Sequence, residues 1–414
     1  MRTFNVIPEE LRANERGGPM TTRTMNKLDV PLAMFAWICS TAPVLAQGAA
    51  FAPASPVKVG PGSGRVVLVD VDRDGHLDLL TQHLLQRNVA VQLGDGKGHF
   101  VQLQAGPMNL DFEPSTVAVD DVNNDAIPDL GVTSRDSTGE YVHIFMGNGR
   151  GGFSPAAGSP FAVTESVERY KPILRLANVN DDGRLDIVTA NGRRDTLEIL
   201  FGDGRGAFSR GPVLKQPGQG QYSFAVGDVH GDGLLDIVTA STGGPTLEPG
   251  SVVTRRGDGK GAFEEAPSLS VPTGARIGTL ADVNGDQHLD ILLSHADRNH
   301  LSILLNDGHG LFKTAAGSPL DVGMEAFAVV VADVNRDKKA DLVAALVNSR
   351  AAPFDSKIAV LLGDGVRFVP APGSPFHAGR GAYNLAVGDV NEDGRVDVAA
   401  SSFEGDAVTL LLGQ

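Results

Sequence analysis

Seven short windows of this sequence place oxygen-bearing side chains at alternating positions, and the first window begins at Asp70. Asp70, Asp72, Asp74 and Asp78 stand at its positions 1, 3, 5 and 9, with Gly75 at position 6. Ca²⁺ prefers about six to eight oxygen ligands, and alternate side chains of a tight loop converge on one point when a glycine lets the backbone turn back. A backbone carbonyl at position 7 would add one more oxygen. The spacing therefore predicts a calcium-binding loop.

The other six windows repeat this pattern, so the chain has up to seven predicted Ca²⁺ sites. Each window closes with an aspartate at position 9, and amides replace some of the other carboxylates. The predicted ligands are Asp70, Asp72, Asp74 and Asp78; Asp121, Asn123, Asp125 and Asp129; Asn178, Asn180, Asp182 and Asp186; Asp228, Asp232 and Asp236; Asp282, Asn284, Asp286 and Asp290; Asp333, Asn335, Asp337 and Asp341; Asp389, Asn391, Asp393 and Asp397.

Three windows carry substitutions that should weaken calcium binding. The third has two amides, Asn178 and Asn180, and affinity follows the charge of the ligands. The fourth places His230 at position 3, and an imidazole is a poor calcium ligand, so water would have to substitute. The sixth puts Lys338 and Lys339 beside the site, where their positive charge opposes a bound cation.

The alternative is that each window is an ordinary turn between strands, because Asp and Asn favour turns without any metal. Seven copies in register argue against this alternative. The windows hold 21 ligand carboxylates, and packing them without cations would cost free energy through repulsion. We therefore expect calcium ions as partners of these loops.

The windows recur every 50–57 residues, which indicates an internal structural repeat. A short apolar run precedes each window and another follows it, and these runs predict two strands. A third apolar run ends in a Gly-rich hairpin turn, as in 93–100, and the aromatic residue after the turn opens a fourth strand. Seven such repeats predict an all-β fold, a seven-bladed β-propeller of four-stranded antiparallel blades.

The two ends of the chain predict how the ring of blades closes. The seventh repeat stops at Gly413 and Gln414, where its turn and fourth strand should follow. Residues 51–56 resemble the fourth strands at 153–160 and 368–375. We expect this N-terminal strand to close the last blade, because pairing it there removes an open sheet edge. Residues 47–414 would then form one domain.

The repeats resemble FG-GAP or VCBS repeats, the family that builds the N-terminal propeller of integrin α subunits. The resemblance covers residues 51–414 and rests on the Asp-Val-Asn-x-Asp-Gly pattern. It implies Ca²⁺ in the loops on one face of a propeller that supports adhesion or ligand binding. Ala126, His230, Gln287 and Lys338 depart from the family pattern at individual sites and leave the fold unaffected.

Residues 1–46 are interpreted as a signal peptide. Arg23 and Lys27 give a basic flank, 30–45 is largely apolar, and 44–46 presents small residues for cleavage. The polar residues 1–19 suggest that translation starts at Met20 or Met25 instead of Met1. A membrane anchor is the alternative, although its apolar stretch is short for a span. We expect a secreted, extracellular or periplasmic protein with no stable membrane span after cleavage.

After cleavage the chain contains no cysteine, because its single cysteine is Cys39. Disulfides could then not rigidify it outside the cell. Its formal charge of −15 argues against a nucleic-acid partner, which would need lysines and arginines to displace counterions from phosphates. The acidic balance points toward cations.

The strand order places the metal loops and Gly-rich turns at one end of the blades and the more divergent connections at the other. Divergent loops on a repeated scaffold are typical of a binding surface. Four side chains stand six residues before position 1 of their windows, namely Tyr222, Arg276, Phe327 and Tyr383. They either rim the central channel or only pack within the first strands.

Three functions remain open, and the first is a calcium-stabilised adhesion module with a protein or glycan ligand. The second is a lectin with inter-blade sugar pockets, which the scarcity of Trp and Tyr disfavours. The third is a polysaccharide-degrading enzyme. No nucleophile and base stand out in the sequence, so we expect no enzyme.

Overall fold

The computed structural model of this chain describes residues 51–164, 172–191, 196–216, 222–243, 249–295, 299–349, 351 and 354–414. Within these ranges the regular structure is entirely β. The predicted signal peptide lies outside the described residues. So do parts of the divergent connections at 191–196, 242–251, 295–300 and 348–357.

In the described ranges, thirty-four strands form seven antiparallel sheets, one for each predicted blade. Blades 1 to 3 contain β3(Ser63–Val69), β4(Asp78–His83), β5(Asn88–Gly94), β6(Phe100–Gln102) and β7(Met108–Asn109); β8(Pro114–Asp120), β9(Asp129–Arg135), β10(Glu140–Gly147), β11(Phe153–Pro155) and β12(Phe161–Thr164); β13(Ile173–Ala177), β14(Asp186–Asn191), β15(Thr196–Gly202) and β16(Phe208–Lys215).

Blades 4 to 7 follow the same order, and the last one takes two strands from the N-terminal end. They contain β17(Tyr222–Gly227), β18(Asp236–Ser241), β19(Gly250–Gly257), β20(Phe263–Glu265) and β21(Leu269–Val271); β22(Ala275–Ala281), β23(Asp290–His295), β24(His300–Asn306), β25(Phe312–Thr314) and β26(Leu320–Asp321); β27(Glu325–Ala332), β28(Asp341–Asn348), β29(Asp355–Gly363), β30(Phe368–Pro370) and β31(Phe376–His377); β32(Leu385–Gly388), β33(Asp397–Ala400) and β34(Ala407–Gly413) with β1(Phe51–Pro53) and β2(Val57–Lys58).

The first strands of the seven blades surround the central channel, because each contacts the first strands of both neighbouring blades. The ring closes between blades 7 and 1. There the Val66 N–H donates to Asn384 Oδ1 at 3.1 Å, and the Ser402 N–H donates to Ser63 Oγ at 2.9 Å. The predicted seven-bladed propeller is confirmed.

The predicted N-terminal closure of the last blade is also confirmed. Phe51 pairs with Gly413 at the end of β34, as Phe100 pairs with Gly94 in blade 1. Val57 pairs with Val408 further along the same strand. The N-terminal segment therefore supplies the aromatic fourth strand that the seventh repeat lacks.

The fourth strand differs from the prediction in one detail, since it is continuous only in blade 3. In the other six blades two short strands replace it, and both pair with the third strand. A proline lies between the two pieces in each of these six blades, as in 157–160 and 372–375. Proline has no N–H to donate to the sheet, so it interrupts the pairing.

The hydrophobic core lies between neighbouring blades. Leu80 of blade 1 and Leu130 of blade 2 belong to one buried cluster, and Leu79 packs with Val390 and Val408 of blade 7 in another. The second strand of each blade is buried on both faces, which explains its continuous apolar run. Each blade thus completes its core only with its neighbours.

No helix in the part of the chain that the structure describes is long and apolar enough to cross a membrane.

Candidate metal centres

Each Asp-rich loop joins the first strand of a blade to the second, and the same backbone turn occurs in all seven. Positions 4 and 6 of every loop have positive φ, which favours glycine because it has no Cβ. Glycine fills position 6 in four loops, whereas Ala126, Gln287 and Lys338 hold positive φ in the others. Departure from the glycine pattern therefore adds strain without changing the loop conformation.

The aspartate at position 9 begins the second strand and holds the loop together. Asp78 is fully buried, its Oδ2 accepts the Val71 N–H at 2.8 Å, and its Oδ1 accepts the Gly94 N–H at 2.9 Å. The same two backbone bonds recur in all seven blades, from position 2 of the loop and from the last residue of the third strand. Each carboxylate thus joins three segments of its blade.

Burial raises the pKa of most of these carboxyls, because desolvation penalises the charged form more than the two backbone N–H groups favour it. Six have a pKa of about 6, namely Asp78, Asp129, Asp186, Asp290, Asp341 and Asp397. An oxygen that accepts one hydrogen bond keeps a lone pair for a cation. A calcium ion beside these carboxylates would favour their charged form.

The first loop brings three of its four predicted ligands together. Asp70, Asp72 and Asp78 offer carboxylate oxygens that all lie within 4.8 Å of one another. Asp74 lies outside this trio and accepts the His76 N–H at 2.9 Å. Repulsion within the loop contributes to a raised pKa of Asp72, after desolvation, through Asp74 and Asp70. These hard oxygen donors fit Ca²⁺.

The other loops contain no comparable trio of acids among the described residues. In five of them an amide stands at position 3, and its Nδ2 donates to the position-5 carboxylate, as in the 2.9 Å bond from Asn123 to Asp125. The side-chain oxygens at position 1 accept backbone N–H groups of their own loop. For example, Asp121 Oδ2 accepts the Ala126 N–H at 2.7 Å. The oxygens that could bind a cation are present in these loops, but in this structure they accept hydrogen bonds from groups of the same loop.

The fourth loop departs most from a calcium site. His230 Nδ1 lies 2.8 Å from Asp236 Oδ2, so the imidazole contacts the buried carboxylate. Arg256 places both Nε and Nη2 2.9 Å from Asp232 Oδ2. A histidine and an arginine therefore occupy two of the three carboxylates predicted to bind the ion.

A family model described as an FG-GAP-like repeat matches residues 70–132, 178–239 and 282–344. Each match begins at position 1 of one loop and extends past the next loop, so six of the seven loops lie inside the matches. This chain is a β-propeller of FG-GAP-like repeats. The repeats locate the loops and the blades, and they leave the ligand of the propeller open.

A search of curated proteins gives no match to this FG-GAP-like propeller. Among solved structures, it is similar to an Agrocybe aegerita lectin that recognises non-reducing terminal N-acetylglucosamine, with 16% identity, a TM-score of 0.54, and 85% of this chain and 87% of that one covered. It is also similar to BBS1N in complex with ARL6DN, with 13% identity, a TM-score of 0.57, and coverages of 87% and 96%. A third similar structure is a Lactobacillus plantarum protein, with 12% identity, a TM-score of 0.51, and 86% of this chain and 91% of that one covered. At these identities the similarities show the fold alone.

The mouth of the channel opposite the metal loops is lined by two of the four predicted rim residues and by an arginine that the sequence pattern does not predict. Phe327 and Tyr383 do rim the channel there, with ring centroids 4.7 Å apart. The side chain of Tyr222 lies outside the described residues. Arg65 lines the same cavity and was not predicted, because it lies one residue closer to its metal loop than the aligned positions do.

Proposed function

We propose that this propeller is a calcium-stabilised binding module that acts outside the cytoplasm. The observation that carries this proposal is the convergence of Asp70, Asp72 and Asp78 within 4.8 Å in a loop that recurs in every blade. Residues 47–414 contain no cysteine, so bound calcium would take the stabilising role that disulfides have in many exported proteins. Export itself rests on the signal-like residues 1–46.

The calcium sites are tested by comparing Asp72→Asn with Asp406→Asn in titration calorimetry. Asp72 belongs to the trio and does not anchor a strand, whereas Asp406 is exposed in the connection before β34, at the opposite end of its blade. We expect Asp72→Asn to remove one binding event or weaken it at least about tenfold, since charge sets calcium affinity. Asp406→Asn should titrate like the unmodified protein. Equal titrations of the two variants would contradict the assignment.

Partner binding is assigned to the end of the blades opposite the metal loops. The connections there differ in length from blade to blade, and divergent loops on a rigid scaffold commonly carry binding residues. A protein or a glycan is the proposed partner. We propose no catalytic role, because the acids that could serve as general acid or base are engaged in the repeated loops.

A lectin is the second candidate function. Its support is the cavity at the channel mouth, where aromatic rings stand beside amide and hydroxyl groups as in many sugar sites. The similarity to the Agrocybe aegerita lectin is consistent with this candidate but extends only to the fold. A glycan array probed with the calcium-loaded protein tests it, and binding to no glycan would favour a protein partner.

A further inference from the structure

A cavity of about 270 Å³ opens at the channel mouth on the face opposite the metal loops. Its walls come from the first strands and adjacent segments of blades 1, 2, 6 and 7. Ligand pockets commonly measure about 300–1,000 Å³, so this cavity suits one small ring and no extended polymer.

Arg65 brings a positive charge into this cavity without a countercharge. Its guanidinium has no hydrogen-bond or ion-pair partner among the described residues. The pKa of Arg65 is lowered to about 10, mainly by desolvation and to a smaller extent by the nearby charge of Arg175. Among the residues that the structure describes, Arg175 donates only to the carbonyl of its neighbour, Leu174 O, at 2.9 Å. Its guanidinium lies 5.9 Å from the Phe224 ring centroid. The cationic pair therefore favours an anion.

The remaining polar groups of the cavity supply further hydrogen-bond donors. Asn384 Oδ1 accepts the Val66 N–H at 3.1 Å, which leaves the Asn384 Nδ2 donor without a protein partner within the described ranges. The Ser115 hydroxyl has none either. Gln82 Nε2 is already bonded to Pro114 O at 2.8 Å. Since polar groups in such sites normally find partners, a bound molecule should be rich in acceptor oxygens.

Aromatic rings form one wall of the cavity. Tyr383 meets Phe327 and Phe403 edge to face, with centroids 4.7 and 5.8 Å apart, and it also contacts Phe354 at 6.3 Å. Glu325 and Glu404 lie near Tyr383 and, after desolvation, raise its pKa, but neither lines the cavity. The anionic group of a ligand therefore belongs at Arg65, and its apolar face belongs against the rings.

We propose that this cavity binds a carboxylate-bearing sugar ring, such as a terminal uronic acid of a glycan. The carboxylate would pair with the Arg65 guanidinium, whose planar fork suits two parallel hydrogen bonds. Asn384 Nδ2 and the Ser115 hydroxyl would donate to ring or hydroxyl oxygens, and Tyr383 with Phe403 would cover the apolar face of the ring. The inference deepens the proposed binding function by naming a ligand class, and it does not depend on calcium occupancy.

The test is titration calorimetry of the full chain with glucuronate, glucose and the methyl ester of glucuronic acid. We expect binding of glucuronate alone, because glucose lacks the carboxylate and the ester masks its charge. Arg65→Gln should weaken glucuronate binding at least about tenfold, since hydrogen bonds to charged groups are among the stronger ones. Arg65→Lys should weaken glucuronate binding less, because lysine keeps the positive charge and loses only the planar guanidinium that makes two parallel hydrogen bonds.

Three outcomes would overturn this inference. They are equal binding of glucose and glucuronate, binding of inorganic sulfate or phosphate as tight as that of glucuronate, and no binding of any ligand. If Arg65→Gln fails to fold, the ester and glucose comparisons on the unmodified chain still decide. A calcium-dependent melting temperature without glucuronate binding would refute the sugar site and leave the calcium proposal intact.

Discussion

Asp78 Oδ2 accepts the backbone N–H of Val71, seven residues earlier, at 2.8 Å while its other oxygen holds the end of β5. This relationship makes the last residue of the metal loop a structural anchor as well as a candidate ligand. It separates two kinds of aspartate within one loop. The buried anchor holds segments of the blade together with or without calcium, whereas Asp70, Asp72 and Asp74 accept N–H groups of the loop itself.

Substitution at the two kinds of position should give different stabilities in the absence of calcium. Asp290→Asn should lower the free energy of unfolding by about 1–3 kcal/mol, because an amide N–H₂ would face a buried backbone N–H. Asp286→Asn, in the exposed part of the same loop, should change it by less than about 0.5 kcal/mol. Urea unfolding with a chelator present measures both, and equal effects would contradict the anchor role.

Position 6 of the loop offers a backbone test. Ala126 has a φ of 63°, where an L-residue is strained. Ala126→Gly should raise the free energy of unfolding by about 0.5–1 kcal/mol, since relief of strain exceeds the extra entropy of the unfolded glycine chain. The matched control is Ala157→Gly, because Ala157 is exposed and has no positive φ. This control should lower the free energy of unfolding by about 0.4–1 kcal/mol. The same sign for both would refute the strain argument.

His143 should make stability depend on pH. It stacks on Phe112 with centroids 3.6 Å apart, and desolvation lowers its pKa from 6.5 to about 4, against a smaller opposing effect of Asp111. Because the folded pKa lies below the unfolded value, the contribution is complete above pH 6.5 and is lost as pH falls toward 4.

His143→Phe keeps a ring against Phe112 and cannot titrate. Between pH 7 and 4.5 the unmodified protein should lose roughly 2–3 kcal/mol more stability than this variant. Urea unfolding at several pH values measures the difference, and parallel pH profiles would show that His143 is not the group responsible.

The fourth loop should gain a calcium site when the two side chains that contact its carboxylates, His230 and Arg256, are replaced. The double variant His230→Asn and Arg256→Gln restores the common amide at position 3 and frees Asp232. We expect calorimetry to detect one more calcium per chain than in the unmodified protein. Arg210→Gln, at an exposed arginine away from the loop, serves as the control and should leave the stoichiometry unchanged.

Much of the fold was predictable from the repeat, since the seven windows, the Gly-rich turns and the aromatic after each turn all recur in register. Even the pairing of Phe51 with Gly413 follows from the missing seventh turn. Arg65 was not predictable, because a register shift between Ser63 and Arg65 moves side chains relative to a regular strand, and sequence patterns do not show such bulges. The two backbone bonds of Asp78 depend on chain segments that meet only after folding.

Stabilisation by calcium is tested by the melting temperature of the unmodified chain in excess Ca²⁺ and after treatment with EDTA. Metal that binds only the folded state adds about 2.7 kcal/mol per site at a hundredfold excess over its dissociation constant. We expect the melting temperature to rise with calcium concentration, with Mg²⁺ less effective at the same concentration because it demands a stricter geometry. An identical melting temperature in calcium and EDTA, with no heat of calcium binding in calorimetry, would contradict it.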